Sequence, residues 1–288
     1  MMKKSLSIAP VALIFCGLLL SAQKAAWAAA PLPAQAQTAA PATQSPPQAK
    51  TKEEYKAYTE ASAVTGGVAM EKAARRFAEK FPASELSVYL YSRALHEYQN
   101  ENNPAKILET GRTVLSLDAD NAVALVLIAT VLSDGLSERD AGRPKKVNEI
   151  RENCARAQKS LAAGVAPAGA DPRQVKAYQG TLQSMIHSAL GILELKLGND
   201  AEAEKQLKAA TLVENIQPDA YVWYHLALAM DHQKHYPQAL AAVNQALRIA
   251  ESNPELQKLA TGERDRLARL APPGAAQPSQ PEPEKSPR

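Results

Sequence analysis

Two copies of one pattern, 36 residues apart, constrain the fold of this chain more than any other feature. Small and apolar residues recur at matched positions between residues 185 and 250: Leu190-Gly191 as Leu226-Ala227, Ala203 as Ala239, Leu207 as Val243, and Ala210 as Ala246. Small residues at a fixed spacing allow two helices to cross closely. A period of this length is typical of stacked helical arrays. The pattern therefore predicts an array of helix pairs.

Composition and boundary signals favour an all-α protein. Aromatic residues make up only 5% of the chain, and long alternations of apolar and polar residues are absent. Asn103-Pro104, Asp171-Pro172 and Asn253-Pro254 each place a capping side chain before a proline at the first helical position. Glycines at 66, 67, 135 and 198 predict helix ends, because glycine enters the left-handed conformation freely. Together these signals predict eleven helices between residues 52 and 270.

The middle of the chain contains its most apolar run after the N-terminus, Val123–Leu132. Its β-branched residues would suit a strand, but a lone strand would have no partner, so we predict a buried helix. A polar insertion follows at residues 136–146. The next helix carries Cys154 on a continuous apolar seam, which predicts a buried structural thiol.

The N-terminus has the features of a secretory signal peptide at residues 1–28. Lys3 and Lys4 precede a short apolar stretch, and Ala26-Trp27-Ala28 supplies the small residues required before a cut. An uncleaved anchor and a lipoprotein attached at Cys16 are the alternatives. We expect export to the periplasm or outside the cell, with no stable membrane insertion after cleavage. Residues 29–50 and the proline-rich residues 272–288 are expected to be disordered, leaving a folded region at 51–271.

Charge and cysteine content exclude several classes of protein. The chain has 33 basic and 30 acidic residues, and residues 1–28 hold three of the bases and no acid, so the cleaved chain is formally neutral. A neutral chain lacks the basic surface of a nucleic-acid binder. Cys154 would be the only remaining thiol, which rules out an internal disulfide.

The repeated residues resemble the tetratricopeptide repeat (TPR) family. The resemblance covers residues 184–253 most specifically. The second copy matches the family pattern at Trp223, Leu226, Ala227, Met230, Tyr236, Ala239, Val243 and Ala246. The resemblance implies an all-α, TPR-like α-solenoid of antiparallel helix pairs, closed by a C-terminal capping helix at residues 254–270. The alternative is an Ala/Leu-rich helical bundle whose periodicity is accidental.

The resemblance also implies a concave groove lined by the first helix of each pair. Counting by the family pattern places the following residues on it: Tyr89, Ser92, His96, Val126, Thr130, Met185, Ser188, Ile192, Leu195, Tyr221, Tyr224, Leu228 and Asp231. Tyrosines with aliphatic neighbours suit a peptide ligand. The same count directs Trp223 into the core. A double Tyr221→Ala/Tyr224→Ala variant is therefore expected to stay folded and lose binding. The family's carboxylate clamp is absent, because serine, isoleucine and threonine occupy its positions.

No residue pattern predicts catalysis, a cofactor or a metal. His225 and His232 share a helix face, but seven residues span about 10 Å, too far for one ion. We therefore predict an exported, non-enzymatic scaffold that binds protein or peptide partners in its groove, in envelope protein assembly or complex formation. The alternative is a structural subunit of a homo- or hetero-oligomer, with the groove buried by self-association.

Overall fold

Consecutive helices pack against one another along the chain and form a TPR-like α-solenoid. The computed structural model describes residues 48–166, 170–214, 216, 219–250 and 253–271. Within them the secondary structure is entirely helical: α1 Lys52–Ser62, α2 Gly67–Lys80, α3 Ser87–Asn100, α4 Pro104–Leu117, α5 Ala122–Asp134, α6 Arg143–Ala162, α7 Pro172–Leu197, α8 Asp200–Thr211, α9 Ala220–His232, α10 Tyr236–Ile249 and α11 Pro254–Leu270. Each helix from α2 onward packs closely on the next, and α11 packs on α10 and closes the array. The all-α prediction is confirmed.

Capping side chains start the helices where the sequence places them. The Asn103 and Asn253 side chains accept from the backbone N–H three residues later, at 3.2 and 3.1 Å. Asp171 forms a reciprocal capping box with Gln174. Gly198 ends α7 with a φ of 80°, as predicted for a left-handed C-terminal residue. Gly135 also ends α5 as predicted, but its φ of −79° is one that any residue adopts, so the left-handed conformation is not used there.

The largest cluster of buried apolar residues centres on α5. Every residue from Ala124 to Ser133 is buried. The helix is covered by α4 and α6 and also by α7, two elements further along the chain. This explains why the run lacks an exposed polar face, and it confirms the buried-helix prediction. Cys154 faces the same core at 1% exposure, and burial raises the pKa of its thiol to about 12, which confirms a buried structural thiol.

A buried polar cluster fixes the N-terminal hairpins. The Tyr98 hydroxyl on α3 donates to Glu71 Oε2 on α2 at 2.5 Å, and Lys106 Nζ on α4 approaches the same oxygen at 3.1 Å. Burial alone would raise the pKa of Glu71, but these two donors hold it below its usual value. Three helices therefore share one buried carboxylate.

Two predicted boundaries are wrong. The predicted disordered segment 29–50 ends too late, because Ala49 packs on the N-terminal core and the Lys50 backbone N–H donates to Glu54 at 2.5 Å. The predicted insertion 136–146 is too long, because Leu136 is buried and α6 already begins at Arg143. Pro144 suits the first turn of that helix, which lets it start among polar residues. The predicted signal peptide and C-terminal tail lie outside the described residues.

Across the described part of the chain, none of the helices has the length and apolar character needed to span a bilayer.

Candidate functional site

Close helix contacts position α7 and α9, the first helices of the two matched repeats. Gly191 on α7 lies against α8, where an added Cβ would meet Leu207 Cγ at 2.5 Å. At the matching crossing in the next repeat, Ala227 and Ala239 are both fully buried. The small residues that define the sequence repeat are therefore the ones at which helices approach closely.

Five of the predicted groove residues do not line an open surface. Val126, Met185, Ser188 and Ile192 are 0%, 8%, 8% and 4% exposed. Ile192 belongs to the C-terminal core with residues of α8, α9 and α10. Val126 and Met185 lie in the core shared by α5 and α7, where the packing of α7 onto α5 covers the face that α5 would present to a ligand. Thr130 is buried for the same reason, and its hydroxyl donates to the Val126 carbonyl within α5.

The predicted residues on α3 lie at the other end of the array. Tyr89 is 42% exposed and His96 is exposed. Tyr89 and His96 are on α3, whereas Tyr221 and Tyr224 are on α9, and the buried α5 and α7 lie between these helices in the array. The structure therefore does not join the predicted residues into one continuous groove.

What remains accessible near the C-terminal end is a half-buried apolar patch of four predicted residues, here named the inner patch: Leu195 on α7 and Tyr221, Tyr224 and Leu228 on α9. Leu195 and Tyr224 pack on the C-terminal core, and Tyr221 and Tyr224 contact the small cluster that includes Leu256 of α11. The patch lies where α9 meets α7 and α11.

The two tyrosines are more structural than the sequence suggests. The Asn253 side chain, which caps α11, donates to the Tyr221 hydroxyl at 3.2 Å. Trp223 is also half-buried against the same core. The expected division into two groove tyrosines and one core tryptophan stays a prediction, but the tyrosines also support α11, so removing both would loosen α11 as well as the patch.

Asp231, the last predicted groove residue, serves as a link between helices. Its Oδ2 pairs with Arg266 of α11, and Arg266 also pairs with Glu263 at 2.8 Å. The other oxygen, Oδ1, is buried without a hydrogen-bond partner among the described residues. Asp231 thus fixes the capping helix beside α9.

A cluster of ionisable side chains lies beside the inner patch and was not predicted from the sequence. We name it the inner cluster: Asp134 at the end of α5, Lys196 near the end of α7, Asp219 capping α9, and His225 on α9. Lys196 Nζ donates to the main-chain oxygen of Asp134. His225 Nδ1 lies 2.9 Å from the Tyr221 carbonyl oxygen, and its ring lies 5.8 Å from the ring of Tyr224.

Burial shifts the pKa of every member of the inner cluster. It raises the pKa of Asp134 to about 7, with Lys196 opposing the shift and Asp219 adding to it. It also raises the pKa of Asp219 and lowers the pKa of Lys196. His225 has its pKa lowered to about 4 by burial and by the charge of Lys196. All four side chains nevertheless keep some solvent contact. Ionisable groups whose pKa values are strongly shifted are often found at functional sites.

One sequence signal could have pointed to this cluster. Asp134 is the last residue of α5, where the negative end of the helix dipole disfavours a carboxylate. An acid at that position requires a compensating feature, which Lys196 supplies from 62 residues away. Helical periodicity within one segment does not carry information about such a long-range contact.

His232 and His235, at the end of α9 and in the turn after it, pair with acids of α8. His232 Nδ1 lies 2.8 Å from Asp200 Oδ1, and His235 Nδ1 lies 3.3 Å from Glu204 Oε2. In the ranges that the structure describes, His, Cys, Asp and Glu side chains form no group of three suited to a metal ion.

Comparisons with known proteins found similarity to a solved structure of a TPR protein. No protein-family model matches the chain, and no curated protein matches it. Among solved structures the chain is similar to a thermophilic TPR protein from Thermus thermophilus, with 15% identity and a TM-score of 0.45. The match covers 74% of this chain and 97% of that one. The evidence for a TPR-like arrangement in this chain is that each helix packs on the next helix in sequence.

Proposed function

We propose that this chain is an exported, non-enzymatic scaffold that binds a protein or peptide partner at the inner patch. The observation that carries the proposal is the combination of accessible apolar side chains and adjacent ionisable groups near the C-terminal end of the array. Leu195, Tyr221, Tyr224 and Leu228 are half-buried, so a ligand could bury further apolar area on them. Half-buried aromatic residues are frequent anchors in protein interfaces. A solenoid displays such a surface without enclosing it.

The cellular setting of the proposal comes from the sequence. The apolar stretch and cleavage pattern of residues 1–28 support export, and envelope protein assembly or complex formation is the role we assign. Mass spectrometry of the protein from its native host tests the first step. We expect the N-terminus at Ala29, and recovery of residues 1–28 on the mature protein would contradict it.

Site-directed photo-crosslinking tests the binding surface. A photoreactive phenylalanine at Leu228, within the inner patch, should capture a partner in envelope extract. The matched control carries the same photoreactive group at Arg248. This residue lies on α10, the second helix of the same pair, and its side chain hydrogen-bonds to Gln245 three residues earlier. Equal capture at both positions, or capture only at Arg248, would show that the inner patch is not the binding site.

The second candidate is a structural subunit of an oligomer, favoured by exposed apolar side chains elsewhere. Leu117 ends α4 and is 50% exposed, and Val165 and Leu212 follow α6 and α8 at 47% and 78%. Each of these three residues lies at or just after the end of the second helix of its pair. Exposed apolar side chains at the same position in successive pairs would form an apolar strip along one edge of the array. Sedimentation velocity over a hundredfold concentration range distinguishes the candidates, since a constant monomer rejects the oligomer.

A further inference from the structure

We propose that the C-terminal segment of this chain, residues 272–288 and here named the tail, folds back and occupies the inner patch of its own chain. The inference rests on the proposed function for its consequence, because a partner that binds the inner patch must then displace the tail. Three observations support it: the place where the tail begins, the backbone conformation at that point, and the length and proline pattern of the tail.

The tail begins beside α9, the helix that carries most of the inner patch. The Asn253 side chain, at the start of α11, donates to the Tyr221 hydroxyl near the start of α9. Arg266, near the end of α11, pairs with Asp231 near the end of α9. The two helices therefore run side by side in the same direction. Ala271 follows Arg266 by five residues, so it lies about 8 Å beyond that ion pair along the helix axis.

The backbone leaves α11 in a conformation that proline continues. Ala271 has a φ of −76° and a ψ of 139°, which is the geometry of a polyproline II helix. Pro272 and Pro273 follow it, and proline fixes φ near the same value and restricts the residue before it to extended conformations. Ala271 also still packs on the C-terminal core. The tail thus cannot continue α11, and it starts next to the core that supports the inner patch.

The tail has the length and the sequence pattern for this surface. Its 17 residues include six prolines, and Pro278 and Pro281 have the spacing P-x-x-P. Segments with this spacing bind aromatic-lined grooves as polyproline II helices. Tyr224 precedes Asp231 by seven residues, so it lies about 18 Å from Ala271 along the helix axes. Seven residues of polyproline II span about 22 Å, which brings the P-x-x-P prolines to the tyrosines.

The inner patch offers the contacts that a polyproline II segment uses. Tyr221, Tyr224 and Leu228 are half-buried along one helix, with Leu195 beside them on α7. Proline rings pack on aromatic and aliphatic side chains, and the carbonyl groups of a polyproline II helix have no internal donors. The Tyr221 hydroxyl accepts from Asn253 and donates to no acceptor among the described residues, so its proton is available to such a carbonyl.

The covalent connection makes even a weak contact effective. A segment tethered to its own binding surface has an effective concentration of about a millimolar, so a contact with a Kd in that range is substantially occupied. Occupancy by the tail reduces the fraction of molecules that are free to bind a partner and raises the partner's apparent Kd in proportion. The tail therefore acts as a built-in competitor at the inner patch.

Photo-crosslinking within the purified mature chain tests the contact. A photoreactive phenylalanine at Leu228 should link to residues 272–288, which mass spectrometry of the digest identifies. The matched control carries the same group at Gln238, an exposed residue in the first turn of α10. Because α10 and α11 pack as consecutive antiparallel helices, Gln238 also lies near the end of α11 but outside the inner patch. We expect about fivefold more linkage from Leu228 than from Gln238. Equal linkage from the two positions, or none from Leu228, would overturn the inference.

Isotope labelling shows which chain supplies the tail. The Leu228 variant is prepared with and without nitrogen-15, and the two preparations are mixed before illumination. We expect every link to join residues of the same isotopic composition. Links between labelled and unlabelled chains would assign the occupying tail to a second copy of the protein and overturn the inference.

Two variants of the full chain show whether the prolines are recognised. Pro278→Ser/Pro281→Ser keeps the length of the tail but removes its preformed conformation, and it should lower linkage from Leu228 by about fivefold. Glu282→Gln/Glu284→Gln changes the same segment without touching a proline, and it is the matched control that should leave linkage unchanged. Equal losses in both variants, or a loss in neither, would reject recognition of the proline pattern.

The fate of the proposed function can be told apart from that of the tail. Capture of an envelope partner at Leu228 without linkage to the tail rejects this inference alone and leaves the proposed function standing. Linkage to the tail without any captured partner supports this inference and counts against the proposed function. When both occur, capture of the partner should increase in Pro278→Ser/Pro281→Ser, and unchanged capture would contradict competition by the tail.

Discussion

Asp134 and His225 should make opposite contributions to the pH dependence of stability. The folded-state pKa of Asp134 is raised from 3.8 to about 7, so the folded protein binds more protons than the unfolded chain between those values. Its contribution to the free energy of unfolding therefore decreases as pH rises from about 4 to 7. The pKa of His225 is lowered from 6.5 to about 4, so its contribution increases as pH rises through nearly the same interval.

The magnitude follows from the shifts. One pKa unit corresponds to about 1.4 kcal/mol, which gives upper bounds of about 4 kcal/mol for Asp134 and about 3 kcal/mol for His225. Both side chains keep some solvent contact, which screens their interactions, so we expect about 1–2 kcal/mol from each. In the wild-type protein the two contributions largely cancel between pH 4.5 and 7.

Two variants separate the contributions. Asp134→Asn should be more stable than wild type at pH 7 and lose that advantage towards pH 4.5. His225→Phe, which keeps a ring against the two tyrosines, should gain stability relative to wild type as the pH falls from 7 to 4.5. Other acids of the protein titrate in all three proteins, so the differences from wild type isolate the two groups.

Urea unfolding followed by tryptophan fluorescence provides the assay. Trp223 is the only tryptophan after residue 27 and lies two residues from His225, so its signal reports on this part of the array. The midpoints should be compared at several pH values between 4.5 and 7.5. Differences from wild type that stay constant with pH in both variants would show that neither group has a shifted pKa, and the reasoning would fail.

Three further results are expected at positions away from the inner cluster. Gly191→Ala should lower the free energy of unfolding by about 1–3 kcal/mol in thermal unfolding, because the added methyl meets Leu207. Gly262→Ala adds a methyl in open space and should raise the free energy of unfolding by up to about 1 kcal/mol. Equal effects of the two variants would contradict the close crossing at Gly191. Cys154 should not react with an aromatic disulfide reagent until the protein is unfolded, and rapid labelling of the folded protein would be the opposing result. Tyr98→Phe should cost about 1–2 kcal/mol by removing a donor from a buried carboxylate, and an unchanged melting temperature would refute that role.

Local structure was predictable because its signals are local. Helix boundaries followed from caps such as Asn103 and from the periodic apolar positions, and α7 and α11 begin and end at the predicted residues. The small residues of the two repeats correctly marked helix crossings. The family pattern also gave the pairing of successive helices, since each helix packs on its sequence neighbour.

The site was less predictable because it depends on how far apart the first helices lie. The family pattern treats each first helix alike, but α7 covers α5 closely and buries Val126, while α9 leaves Leu228 accessible. Nothing within one repeat encodes that difference. The contact between Lys196 and Asp134 joins helices from different repeats and could not be found from spacing.

The packing of α7 on α5 also bears on how this array could change during evolution. A linear array gains or loses repeats readily when each unit contacts only the next one. Here the first helix of one pair covers most of the preceding first helix, and α5 has almost no surface of its own to offer to water. Deleting the pair α5–α6 would leave uncovered the faces of α4 and α7 that pack on α5. We therefore expect variation in length at the two ends of the array, outside the block formed by α5, α6 and α7.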